Sequence, residues 1–145
     1  MLSFLICFLV SIFNFFPRPV AGVSGLHHGI NVENAYVRAA AEQMTSAAYF
    51  KIVNSSDQAD TLYDVKAGFA EMAQLHESFH KNGMVGMKQI YFVVVPAKSS
   101  VEFKPGGYHV MVMNVKEDLK IGTTVRLELL FKHGGTVEVN ADVKK

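Results

Sequence analysis

From Asn31 onward, apolar and polar residues alternate in runs of strand length. The segments 33–39, 46–54, 60–67 and 71–79 are short and carry β-branched or aromatic residues. Turn clusters separate them, "NSSDQAD" at 54–60 and "HKNG" at 80–83 among them,. The run "QIYFVVV" (89–95) is continuously apolar and ends at Pro96, which predicts a strand buried on both faces,. Segments 99–107 and 108–115 follow, split by the turn "PGG". The last two segments, 124–132 and 136–144, flank "HGG" and read as a hairpin,. No long helix is indicated, and "RAAAEQM" (38–44) spans at most a turn or two. Eight or nine short strands at this spacing predict an all-β fold, an antiparallel β-sandwich or barrel,.

The beginning of the chain breaks this pattern. "MLSFLICFLVSIFNFF" has no charged side chain, and "PRPVAGVSG" after it is rich in small and turn-forming residues. Together they read as the hydrophobic and cleavage regions of a secretory signal over residues 1–25, with cleavage between 21 and 25,. No Lys or Arg precedes the apolar run. The alternative is an uncleaved membrane anchor, and the cleaved signal is preferred. The expected product is an exported, periplasmic domain over residues 26–145, membrane-anchored if the leader stays.

Composition narrows the chemistry. The chain has 145 residues, 50% hydrophobic, enough for one domain with a core,. Its net charge is +1, and it has no basic tract interleaved with aromatics, which argues against nucleic acid,. The single cysteine, Cys7, sits inside the apolar leader and is not placed like a lipidation site. The mature chain therefore has no disulfide, no thiolate ligand and no cysteine nucleophile,.

The candidate chemistry lies in "PGGYHVMVM" (105–113). Alternation puts His109, Met111 and Met113 on one strand face, and Val110 and Val112 on the other. Upstream, "AQLHES" carries His76 on the face opposite Leu75, and "NGMVGM" supplies Met84 and Met87. Of the six methionines after the leader, four fall between residues 84 and 113. Imidazole with thioether favours Cu(I), because thioether sulfur is soft and neutral. It offers little to Mg²⁺ or Ca²⁺, which take oxygen. Taken singly, each methionine reads as core filler sooner than as ligand.

The order His76, ten residues, Met87, twenty-one residues, His109, one residue, Met111 resembles the H-x10-M-x21-H-x-M motif of the periplasmic PCu(A)C-type copper chaperones. The context "LHES", "NGMVGM", "VPAKSSVEFKPGGYHVMVM" and "GGTVEV" is similar too, and the likeness covers about residues 31–143. Tyr36 stands where that family often has Trp, and Lys88 where it often has Arg. The resemblance implies a cupredoxin-like antiparallel β-sandwich (Greek key) and Cu(I) held by His76, Met87, His109 and Met111. It implies a metallochaperone that delivers copper toward the Cu(A) centre of cytochrome c oxidase. Its copper-accepting partners would be oxidase subunit II or a Sco-type thioredoxin-like protein, or both. A monomer is expected.

Several residues stay open. Met113 reads as a cover or spare thioether, or as core filler. Met84 reads as a lid over the ion or as a surface residue, and Met44 has no assigned place. His80 shares a strand face with His76 if the strand runs that far, but is expected in the turn as a solvated residue, and His133 is expected in the hairpin turn. Cleavage after Ser24 or Gly25 would put His27 or His28 third, a geometry that would enclose Cu(II) in a square plane,. A tail with solvated histidines is the preferred alternative. Two other functions compete with delivery. One is a copper buffer or resistance protein. The other, a copper-dependent redox enzyme, is disfavoured. Its relative among electron carriers, the blue-copper site, needs a thiolate, and an N-terminal-histidine oxygenase would need cleavage after Leu26.

Overall fold

The computed structural model describes residues 28–145; the leader and His27 lie outside that range. Ten strands follow in order: β1 Ile30–Arg38, β2 Ser46–Asn54, β3 Asp60–Ala67, β4 Ala70–Lys81, β5 Met84–Gln89, β6 Val93–Val95, β7 Ser99–Phe103, β8 Tyr108–Val115, β9 Thr124–Phe131 and β10 Gly135–Lys144. Among the described residues there is no helix, and the all-β expectation holds. The strand number is ten, above the expected eight or nine.

All ten strands share one hydrogen-bonded order, β5-β4-β8-β7-β2-β1-β10-β9-β3-β6, with a further β8–β2 pairing. Most neighbours are antiparallel, but β1–β10 and β7–β8 run parallel. The sheet folds over, so that the half holding β4, β8 and β2 packs on the half holding β10, β9 and β3. Alternation drives this closure. On β10, Val137, Val139, Ala141 and Val143 are buried while the residues between them are exposed. On β8, Val110 and Val112 are both 0% exposed. Phe50 of β2 and Phe103 of β7 stack in the core, with ring centroids 4.5 Å apart. Burying apolar side chains of this size removes roughly 1.5–3 kcal/mol each from the cost of folding.

The hairpin turn between β9 and β10 is held from outside. Buried Asp60 accepts backbone N–H bonds from His133 (2.9 Å) and Gly134 (2.7 Å). His133 is thus a turn residue, as expected.

Three expectations need correction. The sequence pattern predicts no strand over 84–88, yet Met84–Gln89 is a full strand, paired with β4 from His76↔Gln89 to Lys81↔Met84. It escapes the pattern because it extends past the core and none of its residues is buried. The run 89–95 is not a strand with two buried faces. Gln89 ends β5, Val93–Val95 forms the separate edge strand β6, and Tyr91 and Phe92 between them stay exposed. Finally, β4 runs through Lys81, so His80 is an exposed strand residue and the turn falls at Asn82–Gly83.

Candidate metal centre

Two adjacent strands build the centre by register. Leu75 of β4 and Val110 of β8 oppose each other and face the core. The residues on either side of them face outward. His76 opposes His109, Gln74 opposes Met111, and Met72 opposes Met113. The two imidazole rings have centroids 5.7 Å apart, tilted by 45°. Metal–imidazole bonds are about 2 Å and ring centres lie farther back, so rings at this separation can bracket one ion.

The β4–β5 hairpin brings the third element. Met87 opposes Ser78, which shares the outward face with His76. Met87, His109 and Met111 line one cleft of about 410 Å³ with Arg38, Tyr49 and Gly106 among its other walls. His76 does not line this cleft; it joins the group through its facing ring at His109. Exposure is graded: His109 is 5% exposed, Met111 is half-buried, and Met87 is 58% exposed.

The "PGG" turn orients His109. Gly106 takes φ +83°, the left-handed region that suits glycine,. The Gly107 carbonyl then accepts the Ser78 backbone N–H at 3.1 Å and His109 Nδ1 at 3.2 Å. Donation from Nδ1 leaves Nε2 with a free lone pair, the arrangement a metal-ligating histidine needs. His76 is complementary. Its Nε2 meets Gln74 Oε1 at 3.3 Å, and its Nδ1 is buried without a hydrogen-bond partner. A buried nitrogen left unpaired is costly, and an ion at this position would relieve it. Burial, and then the neighbouring His109 charge, hold the His76 imidazole below its ordinary pKa of 6.5. Both effects favour the neutral, ligating ring.

The donor set is nitrogen and thioether sulfur. Among the described residues, no group of three or more His, Cys, Asp or Glu is placed to hold a metal. The nearby ion pair, Lys88–Glu77 at 3.1 Å, lies on the other face of the hairpin. Such a set suits a soft monovalent cation far better than a hard divalent one.

The open residues now have places. Met113 lies on the outward face opposite Met72, half-buried. Met84 opposes Lys81, on the face away from Met87, and is 67% exposed. It is a surface residue. Met44 sits exposed in the loop before β2 and does not line the cleft. His80 opposes Val85 at the exposed end of the hairpin. His28 is an exposed turn residue, and the His27 expectation lies outside the described residues.

Other neighbours were not read from sequence. Tyr49 of β2 places its ring 6.4 Å from His109, and Tyr36 packs on Tyr49 at 5.1 Å. Gln74 and Met72 also share the face of His76. Their signal was available, since they precede His76 by two and four residues in the same alternating run. Tyr49 had none, because its position depends on how β2 pairs.

Residues 30–143 match the family described as "Putative lipoprotein LpqE-like". The chain is 33% identical over 117 residues to "Putative lipoprotein Lxx21020" of Leifsonia xyli subsp. xyli, covering 80% of this chain and 70% of that protein. Among solved structures, it superposes on the "Copper-bound PCuAC domain from PmoF2" with TM-score 0.66 and 26% identity, covering 80% of this chain and 92% of that one. It also superposes on CuI-DR1885 from Deinococcus radiodurans with TM-score 0.61 and 34% identity, covering 79% and 78%. The β-sandwich is thus cupredoxin-like, as expected.

Proposed function

The chain belongs to the LpqE-like family, and from that premise we propose that it is a non-enzymatic Cu(I) carrier whose ligands are His76, Met87, His109 and Met111. The observation that carries this reading is the unpartnered, buried Nδ1 of His76, on a ring 5.7 Å from that of His109, which in turn shares a cleft with Met87 and Met111. The copper bound in one of the two similar structures and the Cu(I) in the other support the choice of metal.

The four ligands are neutral, so the bound complex carries +1, a smaller charge to desolvate than a divalent ion's. Copper is cargo here, and release proceeds by ligand exchange. The exposed Met87 leaves first, because it needs no proton and faces solvent. The buried His109 leaves last. No electron moves in the transfer.

The acceptor we propose is the Cu(A) centre of cytochrome c oxidase, reached through subunit II, a Sco-type thioredoxin-like protein, or both. Relatives named as lipoproteins support an exported, envelope location. The domain acts there after loss of the leader, or on it as an anchor. Deleting the gene tests delivery. Loss of oxidase activity, restored by wild type but not by His109→Ala, supports it. Copper sensitivity with intact oxidase would instead make the protein a buffer.

A further inference from the structure

Two steps along the sheet from the His76–His109 pair, the same face carries a second pair of soft donors. Met72 stands directly opposite Met113. Between the two pairs lie Gln74 and Met111, also opposed. Residues two apart on a strand are roughly 6.5–7 Å apart, and opposed residues about 4.5–5.5 Å. The long, unbranched side chains of Met72 and Met113 can therefore bring both sulfurs to one ion, with Met111 in reach of either pair.

Core packing does not account for these methionines. Met72 is 50% exposed, on the face turned away from the core, and Met113 is only half-buried. The Met72 sulfur is instead engaged: it accepts a hydrogen bond from Gln74 Nε2 at 3.1 Å. The other end of the same amide, Oε1, meets His76 Nε2 at 3.3 Å. One side chain thus links the outer methionine to a ligand of the inner group.

We infer that Met72 and Met113, sharing Met111 with the inner group, form a second site for a soft monovalent cation such as Cu(I) or Ag(I). It is weaker than the inner site, because it has no imidazole and is more open to water. Thioether donors exclude hard divalent ions from it. An ion there reaches the inner group by exchanging sulfur ligands around Met111, without electron or proton transfer. The inference rests on the Cu(I) reading for the class of cation, but the site itself is defined by Met72 and Met113.

A titration of the methyl-¹³C-methionine-labelled full chain with Ag(I), followed by NMR, tests it. The first equivalent should shift the Met87 and Met111 methyl signals. The second should shift those of Met72 and Met113. The double variant M72L/M113L should lose the second step and keep the first. Leucine holds the volume, and M72L alone, at an exposed position, should weaken the second step if the double variant folds poorly. Unmoved Met72 and Met113 signals at two equivalents, or a second step that persists in M72L/M113L, would overturn the inference. Silence of Met87 and Met111 at one equivalent would instead count against the inner Cu(I) site, and the Met72–Met113 response would still be read separately.

Discussion

His76 and His109 face each other across the β4–β8 pair, with ring centroids 5.7 Å apart and one buried nitrogen of His76 left without a partner. One partner is fixed by a turn, the other by an amide. Gly107 holds the Nδ1 of His109, and Gln74 holds the Nε2 of His76. The remaining nitrogens carry the free lone pairs.

Replacing Met87 and Met111 together by leucine removes both sulfurs and preserves volume. Cu(I) affinity, measured by competition with a colorimetric chelator, should fall at least about tenfold, roughly 1.4 kcal/mol. The urea midpoint of the metal-free protein should change little. An unchanged Cu(I) affinity would remove the thioethers from the site.

The His76 pKa makes the metal-free fold pH-sensitive. In the unfolded chain this imidazole takes up its proton near 6.5; in the fold, burial and His109 delay that uptake. The unfolded state thus binds more protons just below 6.5, and stability falls with pH there. The loss begins as pH drops below 6.5 and is complete below the folded-state pKa. Urea midpoints between pH 7.5 and 5 should fall, and His76→Asn should flatten that slope. An equal slope in the variant would contradict the assignment.

Leu75 lies between Gln74 and His76 in sequence but faces the core, 4% exposed. Leu75→Ala should cost about 2–5 kcal/mol in denaturant unfolding. With the proposed site assembled only in the fold, free Cu(I) at a hundred times its Kd should restore up to about 2.7 kcal/mol. Recovery with Cu(I) but not with Mg²⁺ is the result to look for.

Gly86 separates fold from site. A Cβ there would come within 2.5 Å of the Phe79 ring, across the β4–β5 hairpin. Phe79 is 39% exposed, and its ring must swing aside, which removes the ring packed over the strand next to Met87. Gly86→Ala should weaken Cu(I) binding severalfold and move the thermal midpoint by only a few degrees. The reverse pattern would mean that Met87 does not depend on this hairpin.

The sequence carried the alternation of residues 108–115 almost intact, and the structure keeps it: valines inward, His109, Met111 and Met113 outward. Period-two patterning is local, so it is readable wherever one face is buried. Pairing is not local. Nothing near His76 announces that it opposes His109 rather than Met111, and nothing near Tyr49 places it against His109. Strand β5 was hidden for the opposite reason: it leaves the core, so its apolar residues carry no burial signal. Tyr91 and Phe92 misled in the same way, since a continuous apolar run can lie along an exposed edge. The missed neighbours, Gln74 and Met72, differ in kind. They followed from the alternation that placed His76, but only the β4–β8 register gives them partners.

X-ray absorption at the copper edge, on protein loaded with one equivalent of Cu(I), tests the central claim most directly. Scattering from imidazole nitrogen and thioether sulfur together is the predicted result, with the sulfur contribution lost in the Met87→Leu, Met111→Leu double variant. A first shell of nitrogen and oxygen alone would contradict it.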